Sequence, residues 1–254
     1  MESLHGIYPD LYGHEYSEAD MDKRFEALLD KHKELFGKSD AAIFSAAGRT
    51  EIAGNHTDHN LGKVIGGTIN LDTIGAVTKR DDNHVIIASE GFPVVDVDIS
   101  DRSVKEDEKN RTEALVRGIA NAFAERGIEI GGWQANTTTR VLKGSGLSSS
   151  AAIEVLTAEI FNNLFNCDKL EPIELAKIGK YAENVYFGKP SGLLDQACCA
   201  QGGIVGIDFH DADNPVLTPL DVDFSSYGYT MIITDTKGSH ADLTGEYAAV
   251  PPEM

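Results

Sequence analysis

The sequence is poor in positive charge, in cysteine and in long apolar runs, and each shortage removes a class of function. Lysine and arginine number 22 against 41 aspartates and glutamates, a formal net charge of −19. Sequence-independent binding to nucleic acid or to an anionic membrane needs basic surface, so neither is expected. Nucleotides stay open, because their phosphates are met by local dipoles, a few cations and magnesium. No stretch of eighteen apolar residues occurs, which excludes an ordinary membrane-spanning helix. The N-terminus, MESLHGIYPD, lacks the basic region and apolar core of a signal peptide, and the expectation is a cytoplasmic protein. Cys167, Cys198 and Cys199 form neither a CxxC pair nor an even framework, predicting reduced thiols and no zinc site. There is no low-complexity segment and no internal repeat.

What is present is an ordinary globular composition: 254 residues, 41% hydrophobic and 25% charged, enough for one large domain or two small ones. Met21, Phe25, Leu28, Leu29, His32, Leu35 and Phe36 recur at helical spacing, predicting an amphipathic helix from Glu18 to Phe36 that Gly37 stops, with its charges on a solvated face. Ala41 to Ala47 reads as a buried strand leading into a polar, break-rich stretch, Gly48 to Gly62. Further strands are predicted at Thr68 to Thr78, His84 to Ser89 and Val94 to Ile99, then a helix from Glu106 to Arg126 and a strand from Gly132 to Leu142. Helices follow at Ser149 to Phe165 and Pro172 to Phe187, then strands at Gly203 to Phe209, Val216 to Val222 and Tyr229 to Thr234, and a last helical stretch from Ser239. Together these predict a mainly antiparallel sheet.

The stretch Leu142 to Ala152, LKGSGLSSSAA, joins a strand to a long helix and reads as a phosphate loop. Gly144 and Gly146 allow close backbone approach and positive φ, Ser148 to Ser150 offer hydroxyls and an N-cap, and the helix aims its free N–H groups at an anion. It is not a Walker A loop, whose lysine follows the glycines, whereas Lys143 precedes them. Nor is it a dinucleotide fingerprint, which needs a glycine where Ser149 stands. The plain alternative is a serine-rich helix start with no ligand. A second cluster, His56, Asp58 and His59, resembles half of a metallohydrolase centre, but His5, His14, His32, His84, His210 and His240 are scattered with no ligand spacing. Asn55-His56-Thr57 is also a glycosylation sequon, which a cytoplasmic chain would not use.

The loop resembles the second signature of the GHMP small-molecule kinases, proline-x-glycine-x-glycine-Leu-Ser-Ser-Ser-Ala, with Leu142 at the proline position. Gly48 to Gly62, GRTEIAGNHTDHNLG, resembles the galactokinase sugar signature GRVNLIGEHTDYNGG, and Ala182 to Gln196, AENVYFGKPSGLLDQ, resembles the segment carrying that family's catalytic aspartate. The resemblance implies an α/β (α+β) fold of the ribosomal protein S5 domain 2-like type, a mixed, mainly antiparallel sheet with helices on one side. It also implies ATP-dependent phosphorylation of galactose at the C1 hydroxyl, with ATP and Mg2+. On it, Asp195 is the base or proton acceptor and Arg49 its partner, a cation close enough to keep the carboxylate ionised. ATP would be held by Gly144, Ser145, Gly146, Leu147, Ser148, Ser149 and Ser150. Magnesium, which takes few protein ligands, would be held by Ser149 and Glu183. The sugar would meet Asn55, His56, Asp58, Gly192 and, from a looser match, Tyr247.

Three departures qualify the implied substrate. Asn55 stands where the signature has the glutamate facing the C6 side of the sugar, His59 replaces tyrosine and Leu61 replaces glycine. Asparagine donates as well as accepts, so an oxidised or substituted C6 is an alternative, as in a kinase for galacturonate or N-acetylgalactosamine. A catalytically silent galactose and ATP sensor is another. The family continues into a second domain with a third glycine-rich motif, which nothing in this sequence resembles. Residues 1–254 therefore read as the N-terminal, sugar- and ATP-binding domain without the C-terminal one, with weak ATP binding expected.

Overall fold

A computed structural model describes residues 4–13 and 16–234, and its organising element is one long strand. β2, Lys63–Lys79, is seventeen residues long and largely buried, with apolar side chains toward both faces. β1, Ala42–Ala53, lies antiparallel along most of it. β5, Trp133–Thr139, pairs with its C-terminal half and β6, Ile204–Asp208, with its N-terminal half, both antiparallel. β3, His84–Ser89, and β4, Val95–Asp98, extend the sheet beyond β5, while β7, Val216–Leu220, extends it beyond β6. Only the β3–β5 pair is parallel, as the crossover between them requires.

Alternation along β2 assigns the two faces. Val77, with Ala135 and Trp133 of β5, packs under α3 (Thr112–Glu125), α4 (Ser149–Asn166) and α5 (Pro172–Tyr181). α6, Leu194–Gln201, closes the β6 end of that layer, with Leu194, Ala197 and Cys198 against Val64 and Val205. Ile74 and Ala76 face the opposite way, onto α1 (Tyr8–Tyr12) and α2 (Glu18–Phe36). Helices therefore cover both faces, where the resemblance implied one. α2 spans the expected residues and ends on a left-handed Gly37; its start is capped by Ser17, and its charges are not all solvated. Arg24 is buried with Asp72 at 2.6 Å, and the same carboxylate accepts Tyr12 and Ser45 hydroxyls at 2.8 Å each. Removing one partner would leave an uncompensated buried charge, which is why this cluster locks α1 and α2 to the sheet.

Other boundaries shift for local reasons. β1 does not stop at Ala47. Pairing of Arg49, Thr50 and Glu51 with Thr68, Gly67 and Gly66 carries it to Ala53, and its breaks are absorbed as register shifts after Ala47 and Glu51. α3 starts at Thr112 rather than Glu106, because Lys109 is extended and Asn110 takes φ 61°. After α5 the chain widens into a π-helical turn, Ala182–Phe187, and Tyr229 to Thr234 forms no strand. The helical stretch from Ser239 lies outside the described residues, among which no helix is long and apolar enough to cross a membrane.

α3 and the π-helical turn touch closely at Gly118, where an added Cβ would sit 2.9 Å from the Ala182 Cα. Gly118→Ala should lower stability by about 1–3 kcal/mol, read as a lower urea midpoint at unchanged m. An unaltered midpoint would show that the two elements can separate freely.

Candidate active site

The site is assembled on the β1 register shift. At Gly48 an added Cβ would lie 2.7 Å from the Leu147 carbonyl oxygen and 2.9 Å from Val141, so only glycine lets the loop lie against the strand. The next amide, Arg49 N–H, donates to that same Leu147 carbonyl at 3.1 Å, and the Leu147 side chain plugs a small core with Ile69 and Val141. The loop is thus seated by its apolar residue. Gly144 and Gly146 have φ 72° and 78°. The expected N-cap differs: Ser148 occupies the position in the left-handed region, φ 58°, and makes no side-chain cap. Its hydroxyl donates instead to Asp195 Oδ2 at 2.5 Å, leaving the first N–H groups of α4 without a side-chain partner.

Arg49 closes the constellation. Its Nε and Nη2 donate to Asp195 Oδ1 at 2.8 and 2.5 Å, and its Nη1 donates to the Gly146 carbonyl at 2.5 Å. One buried guanidinium thus joins the loop, strand β1 and the first turn of α6. The Asp195 side chain keeps 31% of its surface accessible, so its free lone pairs can be reached from the cavity.

Asp58 holds the start of α6 from the other side. Its Oδ2 accepts the backbone N–H groups of Leu193 and Leu194 at 3.0 and 3.2 Å, capping the helix one residue before Asp195. Gly192 is the close approach that permits this, since a Cβ there would fall 1.8 Å from Asp58 Oδ2. Asp58 Oδ1 is buried without a hydrogen-bond partner, and His56 Nδ1 lies 3.6 Å away. Burial pushes the Asp58 carboxyl up, but His56 and the Leu194 amide outweigh it and hold it below its ordinary value. The Asp58 partnership in turn raises the His56 imidazole against the effect of burial. The turn carrying His56 is left-handed at Asn55, His56 and Leu61, φ 53°, 56° and 61°, and is braced by Glu51, whose Oε1 accepts the His56 N–H at 2.9 Å.

At the far wall Glu183, in the π-helical turn, is 2% exposed. Its Oε1 accepts Lys189 Nζ at 2.8 Å and its Oε2 accepts Gln196 Nε2 at 2.9 Å. That same Gln196 nitrogen donates to Glu154 Oε2 at 2.9 Å. Glu154, 1% exposed on α4, has its Oε1 unpartnered, as does the Gln196 side-chain oxygen. Burial, then the Glu183 charge, raise the Glu154 carboxyl well above its ordinary value. Protonation of Glu154 adds an O–H donor to Lys189 and Gln196, which already serve this acidic cluster.

These groups line one cavity of about 610 Å³. Of the residues expected from sequence, it brings together Arg49, Asp195, His56, Asp58, Gly192, Glu183, Gly144, Gly146, Leu147, Ser148, Ser149 and Ser150. Ser145 is turned back onto the Leu142 carbonyl at 2.6 Å, and Asn55 is exposed; neither lines the cavity. Tyr247 lies outside the described residues. Sequence reasoning missed Glu51, Glu154, Lys189 and Gln196. Glu154 had a signal, a lone charge within the apolar run AAIEVL of a buried helix, which calls for a partner.

The arrangement is a carboxylate–guanidinium pair beside a glycine–serine loop at a helix N-terminus, with a separate buried carboxylate across the cavity. Two family models match the chain: "GHMP kinases N terminal domain" over residues 114–203 and "Galactokinase galactose-binding signature" over residues 30–79. The chain belongs to the GHMP kinase family. Its likeness within that family is to galactokinases. That of Clostridium tetani is 32% identical over 208 residues, 82% of this chain and 53% of the relative. That of Streptomyces coelicolor is 31% identical over 221 residues, 86% of this chain and 56% of the relative. The crystal structure of Lactococcus lactis galactokinase complexed with galactose superposes with a TM-score of 0.71 at 30% identity, over 79% of this chain and 53% of that one. Methanococcus jannaschii mevalonate kinase, at 18% identity and a TM-score of 0.62 over 83% of this chain and 67% of that one, shares the fold. The chain spans about half the length of the curated relatives it matches.

Gly192→Ala should drive Asp58 off the Leu193 and Leu194 amides and lower stability by about 1–3 kcal/mol, measured by urea denaturation. A parent-like midpoint would show that Asp58 does not hold α6. For Glu154 the sign follows from linkage. Because its folded value is raised, the folded chain keeps a proton that the unfolded chain releases, and stability falls as pH rises above the ordinary value of 4.5. Glu154→Gln removes that loss, so its thermal midpoint should exceed the parent's by a few degrees at pH 8 and converge with it toward pH 4. A constant offset across that range would contradict a neutral Glu154.

Proposed function

We propose that this chain carries the sugar and ATP sites of a galactokinase, which phosphorylates galactose at C1 to give galactose 1-phosphate and ADP, with Mg2+. The observation that carries the reading is the junction of Arg49, Asp195 and Ser148 at the loop before α4. The sugar C1 oxygen attacks the γ-phosphorus, its proton passes to the Asp195 carboxylate, and the bond from phosphorus to the β,γ-bridging oxygen breaks to leave ADP. Arg49 keeps Asp195 oriented and places positive charge beside the transferring oxygens. The glycines of the loop and the free N–H groups of α4 hold phosphates without needing many cations.

Glu183 and Ser149 suit magnesium: both line the cavity and offer hard oxygen donors, and beside Glu183 lie the unpartnered buried oxygens of Glu154 and Gln196. When bound, the ion neutralises charge on the phosphate oxygens. Lys189 already stands on Glu183 Oε1, so an amine is at hand for the same charge. His56 suits sugar hydroxyls, while Asp58, with Oδ2 committed to α6 and Oδ1 buried 3.6 Å from His56 Nδ1, positions that imidazole and the start of α6. Residues 1–254 form the N-terminal domain in this reading.

Coupled ADP release with ATP and magnesium, across galactose, galacturonate, N-acetylgalactosamine, homoserine and mevalonate, tests the reading. Sugar-dependent turnover should favour galactose and fall about 10²- to 10⁴-fold in Asp195→Ala. ADP release indifferent to sugar or to Asp195 would overturn it. Saturable sugar binding with no ADP would replace it with the sensor.

A further inference from the structure

The residue that the signature leads one to expect at the sugar, Asn55, is exposed and outside the cavity lining, whereas a glutamate four positions earlier is inside it. The two strings set side by side, GRTEIAGNHTDHNLG and GRVNLIGEHTDYNGG, show the exchange: asparagine and glutamate have traded positions 51 and 55. Glu51 lies two residues beyond Arg49 on β1, with the same face toward the cavity, which along an extended strand is about 7 Å. That spacing sets Glu51 apart from the Arg49–Asp195 pair while all three line the same cavity. The side chain is 18% exposed. Oε1 is fixed by the His56 N–H, while Oε2 is 3.9 Å from His56 Nε2, too long for a hydrogen bond, and retains acceptor capacity.

We propose that Glu51, not residue 55, is the specificity-determining carboxylate of this site, accepting hydroxyl groups at the end of the sugar remote from the transferred phosphoryl group. The inference rests on the kinase reading above. Its consequence is a direction of selectivity. With Glu51 and Asp58 flanking His56, and Arg49 committed to Asp195, this end of the cavity stays net negative even with a protonated imidazole, and a substrate carboxylate meets no free guanidinium. The pocket accepts neutral hexoses and rejects uronates, the opposite of what Asn55 alone suggests.

Calorimetric titration of the 254-residue chain with galactose, 6-deoxygalactose and galacturonate tests this, on the parent, Glu51→Gln, Asn55→Gly and the double exchange Glu51→Asn with Asn55→Glu. Glutamine keeps an oxygen for the His56 N–H, so the turn survives while the charge and one acceptor site are lost. Galactose should bind the parent about tenfold more tightly than galacturonate, and Glu51→Gln should weaken galactose about five- to tenfold while narrowing that ratio. Asn55→Gly, which keeps the left-handed backbone and removes a side chain that makes no hydrogen bond, should stay within about twofold of the parent. The double exchange should bind galactose no more tightly than Glu51→Gln, because residue 55 faces solvent. Parent-like affinities in Glu51→Gln, loss of galactose in Asn55→Gly, or regained affinity in the double exchange would overturn the assignment. A parent that binds none of the three sugars would instead overturn the kinase reading on which it stands.

Discussion

The structure depends on one buried guanidinium. Arg49 reaches a carboxylate at the head of α6 and a carbonyl in the glycine–serine loop, and its own amide holds the loop's Leu147 carbonyl. Three segments far apart in sequence meet there because a strand-borne cation in a low-dielectric pocket cannot be left unpaired. Burial works against its charge, and Asp195 more than restores it. The register shift at Gly48 is the local irregularity that makes room for the loop, and the long β2 strand beneath supplies a platform stiff enough to bear it.

Charge in this molecule is spent locally. In a chain of net −19 the loop before α4 offers the cavity backbone N–H groups and two glycines in the left-handed region. Its acidic side chains are arranged with similar care. Asp72 is covered by Arg24, Tyr12 and Ser45, Glu183 by Lys189 and Gln196, and Asp195 by Arg49 and Ser148. Glu154 alone among these has a free oxygen and a raised carboxyl. Burial penalises the charge there, and neutralisation is the cheaper state.

How much of this was legible in the sequence depends on the range of the interaction concerned. Periodicity and punctuation located α2 and α4 nearly to the residue, because Gly37 and the loop glycines act on their immediate neighbours. The continuation of β1 through Gly48 to Ala53 was not legible, since pairing with Gly66 to Thr68 overrode breakers that look decisive in isolation. The false start of α3 at Glu106 has a comparable origin, a left-handed Asn110 inside a helix-like pattern. At the site, motif spacing found Arg49, Asp195 and Glu183, each tied to a recurring string. Glu51, Lys189 and Gln196 escaped because their meaning lies in partners that only the fold brings near. Asn55 shows the converse: alignment of letters pointed to it, and the turn geometry faces it to solvent.

The Asp58 clamp has a mechanical consequence. Because one Asp58 oxygen carries the first amides of the helix that bears Asp195, the turn at residues 54–62 and the Asp195 carboxylate form a single lever. A displacement of Asp58 passes to Asp195 through the head of that helix. The two walls of this half of the cavity therefore cannot drift apart independently, and a change that loosens the turn is felt at Asp195 without touching it.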